Sequence, residues 1–150
     1  MGQQQLLLLV LSTVIVGLAT VAGIQAFSEN QAQASQDALV QKGTSIASDI
    51  QGLAGKPTQL GGIDMSSNSA TGDQIVKRLG YETKEDGNTP SGTNVVEAQG
   101  AGDGAGCTVA DVSGGTVVVT CESSDAPQDV EVTVDPDASG NVVTTSFTSS

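Results

Sequence analysis

Histidine is absent from this 150-residue chain, which removes the commonest general base and the commonest zinc ligand. Acid–base chemistry would have to run on carboxylates alone, or on a nucleophile without an imidazole partner. The expectation is a protein that is not an enzyme and carries no cofactor. Tryptophan is missing too, phenylalanine occurs twice and tyrosine once. Any core must be built from Val, Ile, Leu and Ala, without the large area that each aromatic side chain would bury. This length has room for about one domain, and so modest a core is expected to need a disulfide, a metal or neighbouring subunits to stand.

Positive charge is scarce. Five basic residues against 17 acidic ones give a net charge of −12, which repels nucleic-acid phosphates and anionic lipid headgroups alike. No nucleic-acid partner is expected. Little Lys beside abundant Asp, Ser, Thr and Gly is the surface of a halophilic protein, kept soluble where concentrated salt screens self-repulsion over a few ångströms. An ordinary acidic extracellular protein shows the same balance.

From Met1 to Ser28 there is no charged side chain at all. Leu6 to Ile24 is interrupted only by Ser12, Thr13, Gly17, Thr20 and Gly23, and at ~1.5 Å per residue these positions span ~28 Å, about the hydrocarbon thickness of a bilayer. Three readings compete. A cleaved signal peptide would want a basic start and a shorter apolar run, although Ala32-Gln33-Ala34 offers a small-x-small cleavage pattern. A plain membrane helix fits the length, but the first basic residue is Lys42, so the usual positive flank is missing. A helix that leaves the bilayer to pack against copies of itself needs neither feature.

Gln25 to Leu53 contains no Pro and is rich in Ala, Gln and Ser, so the helix is expected to continue to about residue 54. Its apolar half covers residues 1–27 and an amphipathic half covers 28–54. In the second half Leu39, Ile46, Ile50 and Leu53 recur at helical spacing, with Gln41, Lys42, Ser45, Asp49 and Gln51 elsewhere. That stripe should seat a globular domain of residues 55–150. Gly52, Gly55 and Pro57 are stop signals.

A connecting region from Gln59 to Gly92 holds one short predicted helix, Asp73 to Leu79, with Thr71 as its cap and Gly80 just past its end. Tyr81, Glu82, Lys84, Glu85 and Asp86 read as a solvated loop, and Gly100 to Gly106 reads as a flexible one. Beyond it the period changes to that of strands. Cys107–Val112, Thr116–Cys121, Asp129–Val134 and Asn141–Phe147 are Val/Thr-rich and predict a four-stranded antiparallel meander, joined by a possible strand at Asn94–Ala98. Val130, Val132 and Val134 alternate with Asp129, Glu131, Thr133 and Asp135, one face for the core and one for water. The fold class is α+β: one long N-terminal hydrophobic helix packed on a small antiparallel β-rich domain.

If Val112 and Thr116 close a hairpin around Ser113-Gly114-Gly115, paired residues sum to 228, and so do Cys107 and Cys121. Opposed strand residues lie within disulfide reach. The bridge implies an oxidising, extracytoplasmic compartment. Asp135, Asp137 and Ser139, ahead of Gly140, space oxygens as weak calcium candidates, but the later bidentate Glu of a calcium loop would fall at Ser146 and a hairpin turn explains the same residues.

A hydrophobic N-terminal helix running into an amphipathic half and then a small disulfide-bearing β domain resembles the type IV pilin and pseudopilin family. The likeness covers the layout of the whole chain, and in sequence it is a loose one, confined to Met1 to Phe27. The family's mature chains commonly carry Glu at the fifth residue and follow a basic leader cut after Gly. Here Met1-Gly2-Gln3-Gln4-Gln5-Leu6 allows Gly2 as the cleavage residue or Met1 as the start, the latter placing Gln5 where the family has Glu.

The resemblance implies a structural subunit of an extracellular type IV pilus-like filament: a helical homo-oligomer drawn from a membrane-inserted precursor pool in the inner membrane. Its assembly residues would be Gln3, Gln4, Gln5, Leu6, Leu9, Val16, Gly17, Leu18 and Gly23. The other reading is a membrane-anchored or pseudopilin-like component of a secretion apparatus.

Overall fold

The computed structural model describes residues 2–66 and 68–149. The uncharged start and the Ala/Gln/Ser-rich segment behind it form one helix, α1 (Gly2–Ala54). After a single 3-10 turn at Thr58–Leu60 come α2 (Gly72–Leu79) and five strands, β1 (Val95–Glu97), β2 (Gly106–Val109), β3 (Val117–Glu122), β4 (Asp129–Val134) and β5 (Val143–Thr148). The strands form one antiparallel sheet in the order β1-β2-β3-β4-β5. This is the expected α+β architecture, with the segment at Asn94–Ala98 supplying the fifth strand.

Contacts divide the chain into two units, one ending at Ala32 and one running from Gln33 to Ser150. In the second unit the Val-rich alternation does what period 2 dictates. Val117, Val119, Cys121, Val130, Val132 and Val134 are buried, while Val118, Thr120, Glu122, Asp129, Glu131 and Thr133 are only partly covered. The amphipathic part of α1 supplies the other wall of the core, burying Ser35, Leu39, Gly43, Ile46, Ala47, Ile50 and Leu53. Leu39, Ile46 and Ile50 are wholly out of water, each stabilising by roughly 1.5–3 kcal/mol relative to exposure.

Gly43 sets how closely α1 approaches the sheet. A Cβ there would lie 3.0 Å from Val132 Cγ2 and 3.2 Å from Cys121 Sγ. The missing side chain lets the helix backbone rest directly over β3 and β4, beside the sulfur of a Cys107–Cys121 disulfide.

The register expected for that disulfide is present, with Cys107 opposite Cys121 and Val109 opposite Val119. The turn is not the expected three-residue loop closed by Val112 and Thr116. Ser113 and Thr116 exchange both backbone hydrogen bonds at 3.0 Å around Gly114-Gly115, and both glycines have positive φ, 59° and 85°, the requirement of a two-residue hairpin turn. Continued without a break, that turn would set Cys107 against Glu122. A bulge restores the pairing: Asp111 and Val112 stand against Val117 alone, and the freed Val112 N–H donates to Ala70 O at 2.9 Å. This is also why β2 stops at Val109 rather than Val112.

The bulge re-aims Asp111 as well. Its Oδ1 accepts the Gly72 N–H at 2.7 Å, so the N-terminus of α2 is capped from the β2–β3 hairpin. Thr71 has the extended backbone of a cap, but its side chain makes no cap hydrogen bond. The C-terminus is as expected, with Gly80 in the left-handed region donating to Val76 O and Lys77 O. The glycine-rich segment before β2 is no free loop: Ala101 and Ala105 are core residues, and Ala98 and Ala105 are hydrogen-bonded across its base at 3.2 Å.

The two glycines of the amphipathic half should respond oppositely to substitution. Gly43→Leu overpacks the seam and should lower stability by about 1–3 kcal/mol or more. At Gly52, where a Cβ meets nothing within 4 Å, Gly52→Ala should raise it by about 0.5–1 kcal/mol through helix propensity. Urea unfolding of the detergent-solubilised chain measures both, and equal effects would show that α1 does not depend on the close approach at Gly43. Cys107→Ser, which opens a loop of about 15 residues, should cost about 3 kcal/mol in the same measurement, and two alkylatable thiols in the native chain would refute the bridge.

Candidate functional site: the apolar half of helix α1

No side chain before Glu29 carries charge, and nothing in the first unit covers what is there. Thirteen large apolar side chains between Leu6 and Phe27 stand exposed, from Val10 at 48% to Phe27 at 73%. They lie on every side of the helix. A surface helix of a soluble domain shows one apolar stripe, whereas one apolar all round belongs in an apolar surrounding. The segment is long and apolar enough to cross a membrane.

The three hydroxyls in this stretch are already spoken for. Ser12 Oγ donates to Leu9 O at 2.9 Å, Thr13 Oγ1 to Val10 O at 2.8 Å, and Thr20 Oγ1 to Val16 O at 2.7 Å. Such bonds to the preceding turn satisfy a hydroxyl without a partner helix or water, so burial in an apolar surrounding leaves none of these protons orphaned. Each of the expected assembly residues Leu6, Leu9, Val16, Gly17, Leu18 and Gly23 is exposed, as are Gln3, Gln4 and Gln5. Gly17 and Gly23 have nothing within 4 Å of a built Cβ. Being six positions apart, they open two different faces to close approach. Val16, Ala19, Thr20, Gly23, Ile24 and Phe27 line a shallow apolar depression on one of those faces.

The charge sits elsewhere. All 17 acidic residues but Glu29, and all five basic ones, belong to residues 33–150. Four of the five cations are committed within that unit. Lys77 Nζ pairs with Asp73 at 2.9 Å, Arg78 donates to Gly62 O, and Lys42 Nζ lies 4.9 Å from the centre of the Tyr81 ring. Lys84 is the fourth and the least expected. Read from sequence as part of a solvated loop, it is 9% exposed and donates to the carbonyls of Asn88, Pro90 and Gly104 at 3.2, 3.0 and 3.1 Å. Three ammonium donors meet three carbonyls, a clamp that ties the segment before β1 to the one before β2. Nothing local in the sequence signals it, because its acceptors are backbone atoms brought together by the fold.

Tyr81 is half-buried rather than solvated, and its hydroxyl donates to Asp49 Oδ2 on α1. Burial, and then the Asp49 carboxylate, push its pKa above the ordinary phenol value. At the Asp135–Gly140 turn, Asp135 Oδ1 accepts the Asp137 N–H at 3.1 Å and the Asp135 carbonyl accepts the Ala138 N–H at 3.3 Å. Those contacts are a hairpin turn's own. Among the described residues no three acidic, cysteine or histidine side chains gather as a metal site would need.

Comparison with family models, with curated proteins and with solved structures finds no match to this chain.

Tyr81 is the only tyrosine, so its ionisation can be followed by ultraviolet difference absorbance without interference. The titration midpoint should lie above 10.0, and Asp49→Asn should bring it down. Since the raised pKa favours the neutral phenol in the folded state, this contact's stabilisation is present below pH ~10 and is lost as pH rises through the shifted value. A midpoint at or below the ordinary one would show that Tyr81 is not seated against α1.

Proposed function

We propose that this chain is a structural subunit of an extracellular pilus-like filament, assembling with copies of itself through the apolar half of α1 and presenting its acidic β-rich unit to solvent. One observation supports it above the others: thirteen large apolar side chains lie all around a charge-free helix. At roughly 1.5–3 kcal/mol each for full burial, covering them would gain more than the ~5–15 kcal/mol that typically holds a domain folded, a strong drive out of water. A bilayer can cover this surface, and so can like helices. Like helices suit it better in two respects. Gly17 and Gly23 are openings that let helix backbones approach, and no Lys or Arg follows the apolar segment before Lys42, where a basic flank would help to orient a resident membrane helix.

The length of the segment favours a second reading, a membrane-anchored or pseudopilin-like component of a secretion apparatus. The two differ in what a charge does. Val16→Asp sets an unpaired carboxylate among apolar helices, at a cost of several kcal/mol per subunit, repeated along the assembly. Electron microscopy of the variant should show no filaments where the parent forms them, and abundant normal filaments would remove this segment from the core. Because residues 2–28 carry no charged side chain whose pairing salt could screen, raising salt from ~0.15 to ~1 M should favour assembly, by damping repulsion among the acidic units. Filaments that dissolve on adding salt would count against a helix-packed core. Intact mass of the native protein gives an independent check, since loss of the first ~34 residues would remove the helix that this reading requires.

A further inference from the structure

The sheet has two edges, and they are treated differently. At β1 the edge is closed by the chain itself: Thr83 bridges to Val96, and Lys84 N donates to Val95 O at 2.8 Å, held there by the buried ammonium clamp. At β5, among the described residues, no strand or bridge lies on the outer side. Open edges are ordinarily guarded by Lys, Pro, a bulge or inward charge. β5 has none of these. It reads Val-Thr-Thr-Ser-Phe-Thr, strong strand formers at every position but Ser146, and from Ala138 onward the sequence holds no charged residue in a chain of net charge −12.

Register determines which backbone groups are free. Asp135 N donates to Val142 O at 2.8 Å, in line with Val134↔Val143 and Thr133↔Thr144 in the ladder. In antiparallel sheets hydrogen-bonded and non-hydrogen-bonded pairs alternate. Thr144, Ser146 and Thr148 therefore direct their N–H and C=O groups to β4, and those of Val143, Thr145 and Phe147 point outward. The same three residues oppose Val134, Val132 and Val130, on the face that α1 covers farther along the sheet, yet Phe147 remains 53% exposed while Val130 and Val132 are wholly buried.

We propose that β5 is a homotypic docking edge, pairing antiparallel with β5 of a second copy to join two sheets into one. A two-fold axis through Thr145 sets Thr145 against Thr145 of the copy and Val143 against the copy's Phe147, on both sides of the axis. All three pairs use outward-pointing backbone groups. Phe147 then gains an aromatic–β-branched cross-strand neighbour, a favourable pairing. Charge selects the site at which two copies can meet. The rest of the unit is strongly acidic, so copies repel wherever they meet except along a neutral strip. With strands ~4.8 Å apart, Asp129 and Glu131 on the two β4 strands would be separated by about 14 Å, beyond the Debye length of ~8 Å at physiological ionic strength. The contact does not depend on assembly through α1, and would couple copies whether or not they share a filament.

The test uses the full chain in detergent micelles. Thr145→Cys on the two-fold should yield a covalent dimer under mild oxidation, and Glu131→Cys, one strand inward, should yield little; equal yields overturn the proposal. Adding Val16→Asp to Thr145→Cys should leave the cross-link in place. Its disappearance would mean that helix association alone brought the copies together, defeating the β5 contact while sparing the filament reading. Thr145→Pro removes an N–H that points away from β4, so it should keep the parent's circular dichroism and melting while weakening dimerisation about tenfold or more, as loss of edge pairing demands. A folded Thr145→Pro protein that dimerises like the parent overturns the proposal, and if that variant does not fold, the cross-linking pair decides alone.

Discussion

The globular unit depends on one seam, where the buried stripe of α1 meets the valine face of β3 and β4. A core without tryptophan, and with both phenylalanines exposed, has no fully buried aromatic to fill it, so it gains area by bringing backbones close. Gly43 makes that possible. Its absent Cβ lets Leu39 on one side and Ile46, Ala47 and Ile50 on the other reach full burial against Val119, Val130, Val132 and Val134. The Cys107–Cys121 bridge lies under the same contact, its sulfur within van der Waals reach of the helix. It fastens β2 to β3, so the wall that α1 presses on cannot part there. Where aromatics would have supplied bulk, closeness and a covalent staple stand in.

What could be read in advance was what periodicity and charge encode. Leu39, Ile46, Ile50 and Leu53 declared the helix face, the Val alternation declared β3 and β4, and the uncharged first 28 residues declared the exposed apolar segment. What escaped reading depends on contacts distant in sequence. Gly43 is a weak helix former by itself and shows its use only against Val132. Asp111 became the cap of α2 because a bulge turned it there, a role that no local pattern at Thr71 could reveal. The disulfide register was right although the turn was not, since the two-residue turn and the bulge shift the pairing by one residue in opposite senses. Lys84 was misread for a general reason: a charge among acidic and loop residues looks solvated unless its backbone acceptors are already in place.

The division of charge along the chain has its own consequence. Residues 2–28 hold none, and in the remainder nearly every cation is tied to a partner inside its unit, leaving most carboxylates turned to solvent. Repulsion between copies is therefore concentrated in the acidic unit and attraction in the neutral surfaces. Among the described residues two such surfaces stand out, the apolar half of α1 and the β5 edge. They differ in kind, one offering area without direction and the other backbone hydrogen bonds with a fixed register.

That difference bears on how an assembly through α1 could be specific. Apolar packing is non-directional, so identical helices could slide past one another by a turn at little cost unless a polar contact selects one position. A carboxylate near the start of such a helix is suited to that task, and here the uncharged segment has none. Ser12, Thr13 and Thr20 cannot replace it as donors, because their hydroxyl protons already serve their own helix. Between the start of α1 and the end of its apolar half, the amides of Gln3, Gln4, Gln5 and Gln25 are the side-chain donors left. Each can both donate and accept, and burying one unpaired is costly. A misregister that separated them would thus be penalised by unmet hydrogen bonds rather than by charge. Register set this way is insensitive to salt, which suits a chain whose acidic exterior is best tolerated in strong electrolyte.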